Sequence, residues 1–239
     1  MDSAKVECGV CGAEVEVAIL VSTNQFGHPD LDCRPPPMAR GTMGFWVQEC
    51  SACGYCAADI TKATPEEQAI CRGRPFQEFR SSLGKDPRLA RSFMTAAFVA
   101  SQNGDHIGAL NLNLFAAWVY DDLHAEKSAG GQRMVAAECL TAAHSVGSRR
   151  FDDAGSDEAL LVDMLRRAGE FERASEVCRE ALSQSCNDNV RQVLEYEMFL
   201  CEREDSARHT MGDVAKPGGE SDPQESFWKK VLRKLNSPL

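Results

Sequence analysis

Positive charge is scarce in this 239-residue chain: 26 Lys and Arg stand against 36 Asp and Glu, a formal charge of −10. The deficit is marked at the start, where residues 1–60 carry Lys5, Arg34 and Arg40 against eight acids. Binding to DNA or RNA depends on Lys and Arg displacing phosphate counterions, so the charge argues against that class. Long apolar runs are missing as well, and none approaches the roughly 18 residues of a membrane-spanning helix. Met1-Asp2-Ser3-Ala4-Lys5 has neither the basic nor the apolar stretch of a secretory signal. The catalytic signatures are absent too: no Gly-x-Ser-x-Gly elbow, phosphate-binding glycine-lysine loop, dinucleotide fingerprint or His-Glu-x-x-His helix. His28, His106, His124, His144 and His209 are scattered. The expectation is a non-enzyme.

What the chain does have is cysteine, eleven in all, an odd number that cannot pair completely within one chain. With no signal peptide visible, the expected setting is a reducing cytoplasm. Four of the cysteines form two hooks, Cys8-Gly9-Val10-Cys11-Gly12 and Cys50-Ser51-Ala52-Cys53-Gly54. Paired thiolates two residues apart can converge on one ion, and two such pairs make a tetrahedral sulfur cage that selects zinc or a single iron. The glycine closing each hook suits a chain that must leave through positive φ. Cys8, Cys11, Cys50 and Cys53 are therefore the expected metal ligands, with zinc first and iron second. Cys56 makes a second Cys-x-x-Cys with Cys53 and reads as a half-buried small residue on the strand leaving the hook, with a replacement ligand or a free thiol as the other readings. Cys33 is the other thiol that could face the site, and His28 a substitute ligand or supporting donor.

Residues 1–62 read as a small β-rich zinc ribbon, with strands expected at 15–21 and 44–49 and a Gly- and Pro-rich loop from Asn24 to Pro37. From Thr64 the pattern is helical, over about 65–72, 88–103, 106–122, 131–147, 157–168, 171–184 and 189–203. Gly104-Asp105 with Ala109 and Ala116 is echoed 65 residues later by Gly169-Glu170 with Ala174 and Ala181. That offset is near twice the 34-residue period of tetratricopeptide (TPR) repeats, so 63–205 is expected to be a TPR-like helical domain. The fold class is α+β. Residues 206–225 read as a flexible linker and 226–239 as a basic amphipathic tail, with Phe227, Val231 and Leu235 on one face and Lys229, Lys230, Arg233 and Lys234 opposite. The tail is expected to dock on the acidic helical domain, to meet a partner, or to touch a membrane surface.

Leu31-Asp32-Cys33-Arg34-Pro35 followed by Trp46-Val47-Gln48-Glu49-Cys50-Ser51-Ala52-Cys53-Gly54-Tyr55 resembles a bacterial family catalogued as domain of unknown function 2225. The resemblance covers the first 60 residues and implies a cysteine-rich ribbon followed by TPR-like helices. The family's hooks carry a proline where this chain has Gly9 and Ser51. It supplies architecture and no reaction. The functional expectation is a protein–protein interaction adaptor with a structural four-cysteine zinc site. The alternatives are a rubredoxin-like or thiol-switch redox protein and, behind it, a nucleic-acid-binding ribbon.

Overall fold

The computed structural model describes residues 2–214. It has a small β-rich N-terminal portion followed by helices, the expected α+β class. Strands β1 (Asp2–Glu7) and β2 (Glu14–Ile19) form an antiparallel hairpin in which Val6 faces Val15 and Ala4 faces Val17. Alternation turns Val15 and Val17 inward and leaves Glu14 and Glu16 outside, as a half-buried strand requires. A second, shorter hairpin joins β3 (Gln48–Glu49) to β4 (Cys56–Ala57).

The expected strand at 44–49 is only its last two residues. Met43–Phe45 is a 3-10 turn, and Trp46 Nε1 donates to Thr42 Oγ1 at 2.9 Å. That turn presents the Trp46 ring edge-on to Phe115 and Trp118, and the aromatic packing outweighs local strand preference.

Helix α1 (Pro37–Arg40) is a single turn. Helix α2 (Pro65–Arg72) starts as its sequence dictates: Thr64 Oγ1 accepts from Glu67 N–H and Glu67 Oε2 accepts from Thr64 N–H, with Pro65 in the first turn. Helix α3 (Arg74–Ser82) was not anticipated. Helices α4 (Arg88–Gln102) and α5 (His106–Asp122) make a tight hairpin turned by Gly104, while Asp105 caps α5 by accepting from Gly108 N–H at 2.8 Å. Helix α6 spans Glu126–Ser145, and its buried Arg133 grips Asp121 with two hydrogen bonds. Helices α7 (Ser156–Arg167), α8 (Phe171–Ser183) and α9 (Asp188–Cys201) follow, then the short α10 (Met211–Val214).

The echo seen in sequence has a physical counterpart. Gly104 and Gly169 both take positive φ, at 79° and 84°, and Ala109, Ala116, Ala174 and Ala181 are all buried. Each glycine ends one helix in a left-handed conformation, and each alanine pair lets the helices of a hairpin approach closely.

The described residues fall into two compact units, and neither is bounded at residue 62. One contains 2–24 and 41–143; the other contains 25–40 and 144–214. In the first, hook residues and helix residues share one core that includes Cys8, Val15, Cys50, Tyr55, Ile60, Cys71, Phe76 and Val99. The two hairpins are therefore built onto α2, α3 and α4, against which Val15, Val17 and Ile60 are buried.

In the second unit the segment expected to be an open loop is buried from Pro29 to Pro36. A buried irregular segment must satisfy its own backbone. Here Asp30 N–H donates to Arg34 O, Cys33 N–H to Asp30 O, Leu31 N–H to His209 O and Met211 N–H to Pro29 O. Asp32 Oδ2 accepts from Arg167 Nη1 at 2.6 Å, and Asp30 pairs with Arg40 at 2.8 Å. The expected linker 206–225 thus overlaps packed chain, since Met211 and Val214 are buried. Its remainder, 215–225, and the tail at 226–239 lie outside the described residues.

Candidate metal centre

Each hook is the turn of a hairpin. Cys8–Gly12 links β1 to β2, closed by Cys8 N–H to Ala13 O at 3.0 Å, and Cys50–Gly54 links β3 to β4, closed by Cys50 N–H to Tyr55 O at 2.8 Å. Gly12 and Gly54 take φ of 71° and 76°, the left-handed exit the spacing called for.

The four sulfurs lie within 4.8 Å of one another. The closest contacts cross between hooks, Cys8 Sγ to Cys53 Sγ at 3.8 Å and Cys11 Sγ to Cys50 Sγ at 3.7 Å. A tetrahedron with metal–sulfur bonds of about 2.3 Å has edges of about 3.8 Å, so the donor set fits one ion. Disulfide bonding, at about 2.05 Å, is excluded by the same distances. Among the described residues this is the only group of three or more His, Cys, Asp or Glu so arranged. Tetrahedral sulfur suits zinc and iron equally.

The backbone is prepared for negative sulfur. Burial raises the Cys50 thiol, but N–H groups of Cys53 and Ala52 and hydrogen bonds from Cys8 and Cys53 overcome this and bring it down to about 7. Burial keeps Cys8 raised against the opposing N–H groups of Cys11 and Val10. Cys53 is raised by burial while Tyr55 N–H opposes it. The N–H groups at Cys8, Cys50 and Cys53 favour the thiolate form and oppose the rise that burial imposes.

Helices α2 and α3 clamp both hooks from outside. Gln68 Nε2 donates to Gly9 O at 2.9 Å and Arg72 Nη2 to Val10 O at 3.3 Å. Arg80 Nη1 donates to Cys53 O at 3.1 Å, and its guanidinium lies 5.8 Å from the centre of the Phe76 ring. Two cations beside a four-thiolate cage offset its net negative charge. These residues carry no spacing signal in the sequence, being ordinary polar positions of amphipathic helices.

The other candidates do not join the cage. Cys56 is buried, its Sγ lies 3.5 Å from Gly54 O, and burial pushes its thiol well above the ordinary range. Cys33 belongs to the second unit, where burial raises its thiol to about 12 despite the attraction of Arg150. Such thiols are inert at neutral pH. His28 also belongs to the second unit and packs against Gly212. His106 begins α5 directly after its Asp105 cap.

No family model, curated protein or solved structure matches this chain. The chemistry of the site therefore rests on its own geometry.

Proposed function

We propose that this protein is a zinc-binding interaction adaptor, with a structural four-cysteine centre fixing one end of a TPR-like helical scaffold. The four-sulfur cluster carries the reading: protein atoms supply all four corners, leaving no position for water or substrate, as in structural zinc sites. Support for a scaffold comes from the hairpins α4–α5 and α7–α8, which share a positive-φ glycine and buried alanines at equal spacing. Hairpins of that kind present concave surfaces to peptides. Membership of the bacterial family 2225, which Leu31 to Pro35 and Trp46 to Tyr55 resemble, is part of the proposal. Among the described residues no helix is long and apolar enough to cross a membrane. A cytoplasmic setting is part of the proposal.

Thiol switching through Cys56 or Cys33 is disfavoured by their burial and raised thiols. Rubredoxin-like electron transfer needs iron in the cage. Metal analysis of protein purified without added metal separates the two: one zinc per chain supports the adaptor, and red, iron-loaded protein supports electron transfer.

A further inference from the structure

Beside the metal hooks, within the first unit, is an open cavity of about 300 Å³ that the cage does not use. Its floor is apolar, formed by Val99, Ala100 and Leu112, and its wall includes the strand that leaves the second hook. The volume is at the lower end for ligand pockets, which run roughly 300–1,000 Å³. It therefore admits one large side chain and not a dinucleotide.

The mouth is polar and negatively charged. Asp59 is neutralised by Lys62 at 3.1 Å, leaving Asp105 and Glu67, the latter also bonded to Thr64 N–H and the Tyr55 hydroxyl, as the lining carboxylates with no basic partner among the lining residues. Asp105 uses Oδ1 to cap α5 while its Oδ2 lies over Gly108, and the residue is exposed at the mouth. Asn103 also lines the cavity, and its side-chain amide can donate to and accept from a peptide group. An apolar floor, an amide and a carboxylate at one rim are the elements for holding a large side chain flanked by positive charge.

We infer that this cavity binds a basic peptide segment of a partner protein, burying one large apolar side chain against Val99, Ala100 and Leu112 while an adjacent ammonium group meets Asp105 and Glu67. The inference rests on the adaptor reading and gives that reading a location and a ligand class. Charge complementarity selects the occupant: an acidic peptide would bring like charge to the rim, which is unfavourable.

The test is a methyl NMR titration of full-length, zinc-loaded protein with the peptides acetyl-Gly-Lys-Trp-Lys-Gly-amide and acetyl-Gly-Glu-Trp-Glu-Gly-amide. Expected are saturable shifts of the Val99 and Leu112 methyls with the lysine peptide and at least fivefold weaker binding of the glutamate peptide. Ala100→Leu, which fills the floor, should abolish the shifts. Asp105→Asn keeps a competent helix cap and should weaken binding about threefold, the scale of one exposed charge pair. Unchanged binding in Ala100→Leu, or equal binding of the two peptides, would overturn the assignment. Lysine-peptide shifts confined to α7–α9 would overturn the cavity while leaving the adaptor reading standing. An iron-loaded protein would sink the adaptor reading whatever the peptides do.

Discussion

The guanidinium of Arg80 occupies the space that a side chain on Gly54 would need: a Cβ built at Gly54 would overlap Arg80 Cζ. Gly54 is thus glycine for two reasons, its φ of 76° and the arginine laid across it. Gly12, the equivalent residue of the first hook, has only the first reason, because its nearest neighbour would be Glu7 Oε1 at 3.7 Å. Gly12→Ala should cost about 1–2 kcal/mol, the strain of a left-handed alanine. Gly54→Ala should cost more by about 1 kcal/mol, because Arg80 must leave the Cys53 carbonyl. In an Arg80→Ala background the two glycine substitutions should cost the same. Thermal melts of the four-member cycle measure the coupling directly.

Cys50→Ser should abolish stoichiometric metal and unfold the two hairpins, since structural zinc supplies about 10–16 kcal/mol in small modules. The damage should spread into α2–α4, because Cys8 and Cys50 share a core with Cys71, Phe76 and Val99. Cys56→Ser should keep one metal ion per chain. Metal analysis with amide hydrogen exchange distinguishes the variants, and full metal retention by Cys50→Ser would defeat the ligand assignment.

The four-sulfur cluster was legible because tetrahedral sulfur chemistry imposes a local spacing that survives in sequence as two short strings. Helices with strong periodicity and caps were equally legible: α2 begins at the Thr64 box and α5 at Asp105, both as read. Strand β1 was not, because Asp2–Glu7 has little alternation and exists through pairing with β2. Helix α3 is short, and its start follows Gly73 so closely that it reads as a continuation of a break. The segment 29–36 was the largest surprise. Its Pro and Asp content has the composition of a surface loop, and only distant partners such as Arg167 and His209 make its burial possible. No local pattern announces a contact 135 residues away.

Arg166 sits at the centre of the second unit's polar core. Its Nη2 donates to Asp163 at 2.7 Å and its Nε to Glu197 at 2.6 Å, while Nη1 reaches the carbonyls of Asp205 and Ala207. All three side chains are buried. Arg166→Met should destabilise this unit by about 3–5 kcal/mol, since it strands two buried carboxylates. Burial already raises Glu197 well above the ordinary carboxylate range, with Asp163 adding to the rise. Protonation of Glu197 therefore relieves part of the loss, and the variant should be less impaired at pH 5 than at pH 8. Denaturant titrations followed by proteolysis of 144–214 check this, and an unimpaired variant at pH 8 would refute it.

Asp30 gives a pH dependence of defined sign. Burial, reinforced by the nearby Asp32 charge, lifts its carboxyl to about 6, against the opposing pull of Arg40 and Arg208. A carboxyl whose folded pKa lies above its unfolded value near 3.9 binds more protons when folded in the interval between them. Its contribution to stability is then most favourable below the unfolded value and falls as pH rises to about 6, by up to roughly 3 kcal/mol for a rise of that size. Asp30→Asn removes the titration but keeps an acceptor for Arg40. The stability difference between variant and parent should therefore move in favour of the variant between pH 4 and pH 6.5 and stay level above it. Parallel denaturant titrations across that range, at constant ionic strength, measure the difference. A difference that is flat from pH 4 to pH 6.5 would mean that Arg40 and Arg208 hold Asp30 ionised throughout.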